Sequence, residues 1–132
     1  MKRVLWFFAV LTVMLVYVHN STNCFSDEFD LQLKKVYPKI VTPYYGTNDN
    51  NCVIFEFSDP QYENVRVKIY TIDGRNIREI DSYERTPKAN SFDWCFKWNC
   101  LDSAGSRVNP GVYLYVMEAK NKVYNGTIIV AQ

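Results

Sequence analysis

Hydrophobic and polar residues alternate along most of the chain with a period of two. In CVIFEF, Cys52 to Phe57, the residues Val53, Phe55 and Phe57 share one face. In VRVKIYTI, Val65 to Ile72, the residues Val65, Val67 and Ile69 oppose Arg66, Lys68 and Tyr70. In SFDWCFKW, Ser91 to Trp98, the aromatic set Phe92, Trp94, Phe96 and Trp98 opposes Asp93, Cys95 and Lys97. Val112 to Ala119 and Val123 to Val130 supply two further runs, joined around Lys120-Asn121-Lys122. Successive side chains of a pleated strand point to opposite faces, so each run predicts a strand with one buried side. No segment of the body predicts an amphipathic helix of useful length.

The residues between the runs carry turn chemistry. Asp73-Gly74 permits positive φ and reverses the chain into RNIREI, Arg75 to Ile80. After Trp98, the residues Asn99, Asp102, Ser103 and Gly105 bond their own backbone or accept left-handed angles. Asn109-Pro110-Gly111 then re-aims the chain, with Pro setting φ and Gly giving freedom after it. About seven short strands separated by such turns predict an all-β, antiparallel β-sandwich. Its core is expected to hold Trp94 and Trp98 with Phe55, Phe57, Phe92 and Phe96.

The amino terminus has a different pattern. Lys2 and Arg3 precede Val4 to Val18, fifteen residues interrupted by Thr12 alone. That is the length of a signal-peptide apolar region and short for a membrane span. Residues 1–23 are therefore expected to form a hydrophobic signal or anchor helix and 24–36 a spacer, with the sandwich over 37–132. Cleavage, retention as an anchor through residues 4–18, and lipidation at Cys24 remain alternatives. Each makes the chain exported, whether periplasmic, outer-surface or anchored.

Composition narrows the chemistry. A chain of 132 residues, 48% hydrophobic, suits one domain with a real core. Beyond residue 23 it carries 13 basic and 14 acidic side chains, a balance with no basic face for phosphates, so nucleic acid is not an expected partner. Membrane contact is expected through the amino-terminal segment alone. Export suits cysteine oxidation, and Cys52, Cys95 and Cys100 are candidate disulfide partners with their connectivity open. Cys95 lies on the polar side of its strand, which favours a surface bridge or a free thiol. The Cys95–Cys100 spacing, with no histidine nearby, is not a zinc pattern.

Catalysis finds few candidates. The single histidine, His19, lies beside the targeting segment, which leaves the domain without an imidazole base or a Ser-His or Cys-His nucleophile system. Asp93, Asp102 and Glu118 are the carboxylates to consider, each placed in a turn or on a polar strand face as an ordinary solvated acid. No catalytic residue, cofactor or metal is assigned. GTNDNN, Gly46 to Asn51, collects oxygen ligands but only one carboxylate, Asp49, so it is read as a solvated turn and calcium is not expected. Tyr44, Tyr45, Tyr62 and Tyr83 are candidates for a sugar-stacking platform.

At these turns the sequence resembles a known module. WNCLDSAGSRVNPGVYLYVMEA, Trp98 to Ala119, is similar to the W-D-G-x-D-x-x-G-x-x-x-x-x-G-x-Y-x-Y signature of the Ig-like domain of the flagellar hook-capping (FlgD-type) family. Related modules include type IX secretion C-terminal sorting domains. VRVKIYTIDGRNIREI resembles the family's V-x-I-Y-D-x-x-G-R-x-V-R strand and turn, and TPYYGTNDNNCVIFEF its P-x-x-G-x-x-N-D opening. The resemblance spans Tyr37 to Val130 and implies an Ig-like sandwich. Two positions depart from it: Asn99-Cys100 stands for Asp-Gly, and Val116 for a basic residue. The family's orientation would turn Tyr113, Tyr115 and Met117 inward and leave Val112, Leu114 and Val116 as an apolar outer stripe, a candidate partner-binding surface.

Three function classes follow. The expected one is a non-enzymatic module in protein–protein interaction or structural attachment at the bacterial cell envelope. The alternatives are a secretion-sorting-type domain and a carbohydrate-binding module. Fold similarity does not choose among them, because function resides in sites.

Overall fold

The computed structural model describes residues 30–45, 50–89 and 92–132. Nine strands are formed among them: β1 (Gln32–Tyr37), β2 (Ile40–Val41), β3 (Val53–Ser58), β4 (Arg66–Thr71), β5 (Asn76–Ile80), β6 (Thr86–Pro87), β7 (Asp93–Trp98), β8 (Gly111–Ala119) and β9 (Lys122–Val130). One 3-10 turn, Ser82–Glu84, lies between β5 and β6. The strands form a four-stranded sheet in the order β1-β3-β7-β6 and a five-stranded sheet in the order β2-β9-β8-β4-β5.

The predicted alternation decides which faces meet. Val53, Phe55 and Phe57 of β3 are buried together with Trp94, Phe96 and Trp98 of β7. From the other sheet Val67, Ile69, Tyr113, Tyr115, Met117 and Ile128 are buried against them. Ring contacts join the two layers: Phe55 meets Tyr115 at 5.2 Å and Trp98 meets Tyr113 at 5.7 Å, both edge to face. The body is thus an all-β sandwich with its core between the sheets. Each of these large side chains contributes about 1.5 to 3 kcal/mol of burial before chain entropy is subtracted.

The turns follow their sequence signals. Gly74 takes φ +88 between β4 and β5, where Gly74 N–H donates to the Thr71 carbonyl. The Asp102 carboxylate accepts the Ala104 and Ser106 amides at 2.9 and 2.8 Å, with Gly105 at φ +80. Asp102 is a turn-former in this fold.

Four expectations need correction. The spacer ends early, since residues from Gln32 onward pair with β3. A bulge hides that strand from a periodicity reading: Leu33 pairs with Phe57 and Lys35 with Glu56, so Lys34 is an extra residue. Leu31 and Val36, five positions apart, consequently both reach the core. The count is nine strands against about seven, because β2 and β6 are two residues long and too short to show a period. The pairing is not wholly antiparallel, as β2 runs parallel to β9 through Ile40–Ile129 and Val41–Val130. Phe92 is 52% exposed and outside the core. It sits one residue before β7, beyond the last rung of the β3–β7 ladder, with its carbonyl accepting from the Asp59 amide.

The expected signal or anchor helix and Cys24 lie outside the described residues. Among the described residues no helix is long and apolar enough to cross a membrane.

Candidate functional site

The outer face of the five-stranded sheet is built from the residues that alternate with the core. Three cross-strand rows define it. At one end Ile40, Ile129 and Val112 stand side by side on β2, β9 and β8. They are 53, 42 and 43% exposed. The next row runs Thr127, Leu114, Tyr70, and the one after it Asn125, Val116, Lys68. Leu114 and Val116 are half-buried, while Val112 is open to solvent. The far end is charged. Glu118 faces Arg66 across the ladder and accepts from Lys68 Nζ at 2.5 Å, and that bond raises the Lys68 pKa. The face therefore grades from apolar to ionic along the strands.

The outer face of the four-stranded sheet contrasts with it. Lys34 Nζ donates to Asp93 at 2.6 Å, Lys88 pairs with Glu56, and the Tyr37 hydroxyl donates to Glu56 at 2.6 Å. Hydrogen bonds from Lys88 and Tyr37 hold the Glu56 carboxyl below its ordinary value, and the Tyr37 phenol is raised chiefly by its bond to Glu56. Polar groups on this side have one another as partners. In the apolar row on the opposite side, the described residues leave each side chain at least 42% exposed.

Other sequence candidates are dispersed. Asp93 lies on one outer face, Glu118 on the other, and Asp102 in the turn after β7, so no two of them form a carboxylate pair. Tyr44 packs under the Arg107 guanidinium at 4.8 Å, close to the Leu101–Arg107 bridge that follows β7. Tyr62 packs on Trp94 at 4.9 Å near the start of β7. Those two tyrosines stand at opposite ends of the sandwich and do not share a platform. Most of GTNDNN lies outside the described residues, and among those described no three His, Cys, Asp or Glu side chains cluster as metal ligands. Cys52, Cys95 and Cys100 are free thiols, so no disulfide is formed among the described cysteines. An open cleft of about 380 Å³ lies between the β4–β5 turn and the Asp102 turn, lined in part by Arg75, Asn76, Ser103, Arg107 and Tyr113. Arg107 is already engaged there with the Pro43 carbonyl.

Two features escaped sequence reasoning. Ile40 and Ile129 complete the apolar row, and only the long-range parallel pairing of β2 with β9 brings Ile40 to it. The second is a buried ion pair. Asp59 is 0% exposed and accepts from Arg85 Nη1 at 2.8 Å. Arg85 also donates to the carbonyls of Ser82 and Glu63 and lies over the rings of Tyr62 and Trp94. Nothing local in the sequence pairs residues 26 positions apart.

With this geometry described, comparison with known proteins adds one finding. No family model and no curated protein matches the chain. Its fold is similar to part of PorZ. PorZ is a bacterial surface component of the type IX secretion system of Porphyromonas gingivalis, and the two chains share 22% identity at a TM-score of 0.51. The match covers 84% of this chain and 13% of PorZ. Likeness at that identity bears on fold, where it agrees with the two-sheet architecture. PorZ is on the type IX side of the resemblance described above, and nothing in the match speaks to the hook-capping side.

Proposed function

We propose that this chain is a non-enzymatic, Ig-like module of the bacterial cell envelope that holds a protein partner against the apolar end of its five-stranded sheet. The observation that carries the reading is the asymmetry between the two outer faces. One is satisfied by its own ion pairs, whereas the other presents Ile40, Ile129 and Val112 in one row with Leu114 beside them. Apolar patches rimmed by charge are typical of protein contact sites. Lys68, Glu118 and Arg66 supply that rim. The apolar leader supports export, and the fold likeness to a type IX surface component supports an envelope address, whether periplasmic, outer-surface or anchored.

A photo-crosslinking amino acid placed at Val112 or Ile129, and at Lys97 as a control, tests this in cells. A discrete protein adduct from Val112 and Ile129 but not from Lys97 is expected. Equal labelling from all three positions would refute the assignment of this face. A sorting-type role is the second reading, favoured by the type IX identity of PorZ. Appending the body to a periplasmic reporter and finding the reporter on the cell surface would select it.

A further inference from the structure

We propose that Cys52 and Cys100 are a disulfide-forming pair, clasping the end of the four-stranded sheet at which β3 begins and β7 ends. Three described cysteines allow three pairings, and the fold selects one. Cys95 stands mid-strand opposite Glu56, on the outer face with Lys97. Cys100 continues the inward alternation of Phe96 and Trp98 and is buried. A disulfide needs Cβ atoms about 3.5 to 4.5 Å apart, which side chains leaving opposite faces of a sheet do not reach. Cys95 is thereby excluded as a partner of Cys100, and it is excluded as a partner of Cys52 by distance, since its rung opposite Glu56 lies four positions along β3, about 13 Å away.

Cys52 and Cys100 are brought together by register. Val53 is paired with Trp98, so Cys52 and the residues just after Trp98 are neighbours beyond the last rung. Both cysteines are buried there. The Cys100 thiol is pushed up to about 12, mainly by burial and next by Cys52.

Backbone geometry supplies a second, independent observation. Cys100 has φ +59, a left-handed conformation that disfavours residues with a Cβ. The surrounding chain holds it there: Val108 N–H donates to the Cys100 carbonyl at 3.0 Å, and Trp98 Nε1 donates to the Leu101 carbonyl at 2.9 Å. The loop thereby fixes the Cys100 side chain in place while its thiol is still free.

The reaction is a two-electron oxidation. The S–H bonds of Cys52 and Cys100 break and one S–S bond forms. The two protons and two electrons pass to the disulfide of a thiol–disulfide exchange partner, whose S–S bond breaks to give a dithiol. The raised Cys100 pKa leaves little thiolate in the folded state, so the exchange accompanies folding, before both groups are covered. In the cell this step rests on the export reading, but in vitro it depends on the fold alone.

The test refolds the full chain in a buffer of oxidised and reduced glutathione, followed by intact-mass and non-reducing peptide mapping. A loss of about 2 Da is expected, with the peptides carrying Cys52 and Cys100 linked. The loss persists in Cys95→Ser and vanishes in Cys52→Ser and Cys100→Ser. Reduction of wild type should lower Tm by about 8 to 20 °C, against little change in the double variant Cys52→Ser/Cys100→Ser. Mapping is done on wild type, so the outcome stands even if a variant fails to fold. A link from either residue to Cys24 or Cys95, or both thiols free in refolded wild type, overturns the proposal. Neither result bears on which face binds a partner.

Discussion

Replacing Arg85 by Met should destabilise the body more than most surface changes, although Arg85 is a charged residue in a connecting segment. Its guanidinium is the counter-charge to Asp59, which has no solvent contact of its own. In Arg85→Met that carboxylate keeps the Glu63 amide at 3.1 Å and loses its cation. Removing one partner of a buried pair costs about 3 to 5 kcal/mol, because an uncompensated charge remains. The Ser82 and Glu63 carbonyls lose a donor as well, at about 0.5 to 1.5 kcal/mol each where water does not replace it. A total near the lower part of that combined range is a large share of a domain stability of about 5 to 15 kcal/mol. For a body of this size the expected fall in Tm is about 12 to 25 °C. Urea titrations followed by tryptophan fluorescence supply the free energies for Arg85→Met, Asp59→Asn and the double variant. The double variant should recover part of the loss, since an amide is cheaper to bury than an anion. A cost below about 1 kcal/mol for Arg85→Met would mean that Asp59 is hydrated in solution, and the argument from burial would fail.

The remaining predictions concern packing and pH. Trp98→Ala should cost about 3 to 5 kcal/mol, while Phe92→Ser should stay within about 0.5 kcal/mol, and the same denaturation assay distinguishes them. Gly126→Ala should cost about 1 to 3 kcal/mol, because a Cβ there would lie 2.6 Å from the hydroxyl of the buried Tyr115 on the neighbouring strand. Glu56 has a folded-state pKa below its ordinary 4.5, so the folded chain releases that proton more readily than the unfolded chain. Its contribution is complete above about pH 4.5 and is lost as acid titrates the folded carboxyl, and Glu56→Gln should flatten the acid limb of a stability-versus-pH curve.

Residue alternation determined the longer strands and the aromatic centre of the core, while Leu31, Val36, Val41 and Val108 joined it unannounced. In β3, β4 and β7 the inward set could be named from spacing, because a pleat forces neighbours to opposite faces whatever lies beyond them, whereas for β8 it came from the resemblance. The Asp73-Gly74 and Asp102 turns were legible for a similar reason, since their hydrogen bonds close within about four residues. Tertiary structure decided the rest. The bulge at Lys34 shifts the period by one and conceals β1, and two-residue strands have no period to read. Ile40 joins Ile129, and Asp59 finds Arg85, through the pairing of segments far apart in the chain. Such encounters depend on which strands lie side by side and in what register. That choice is made by the packing of the two sheets as a whole, and local spacing carries no record of it.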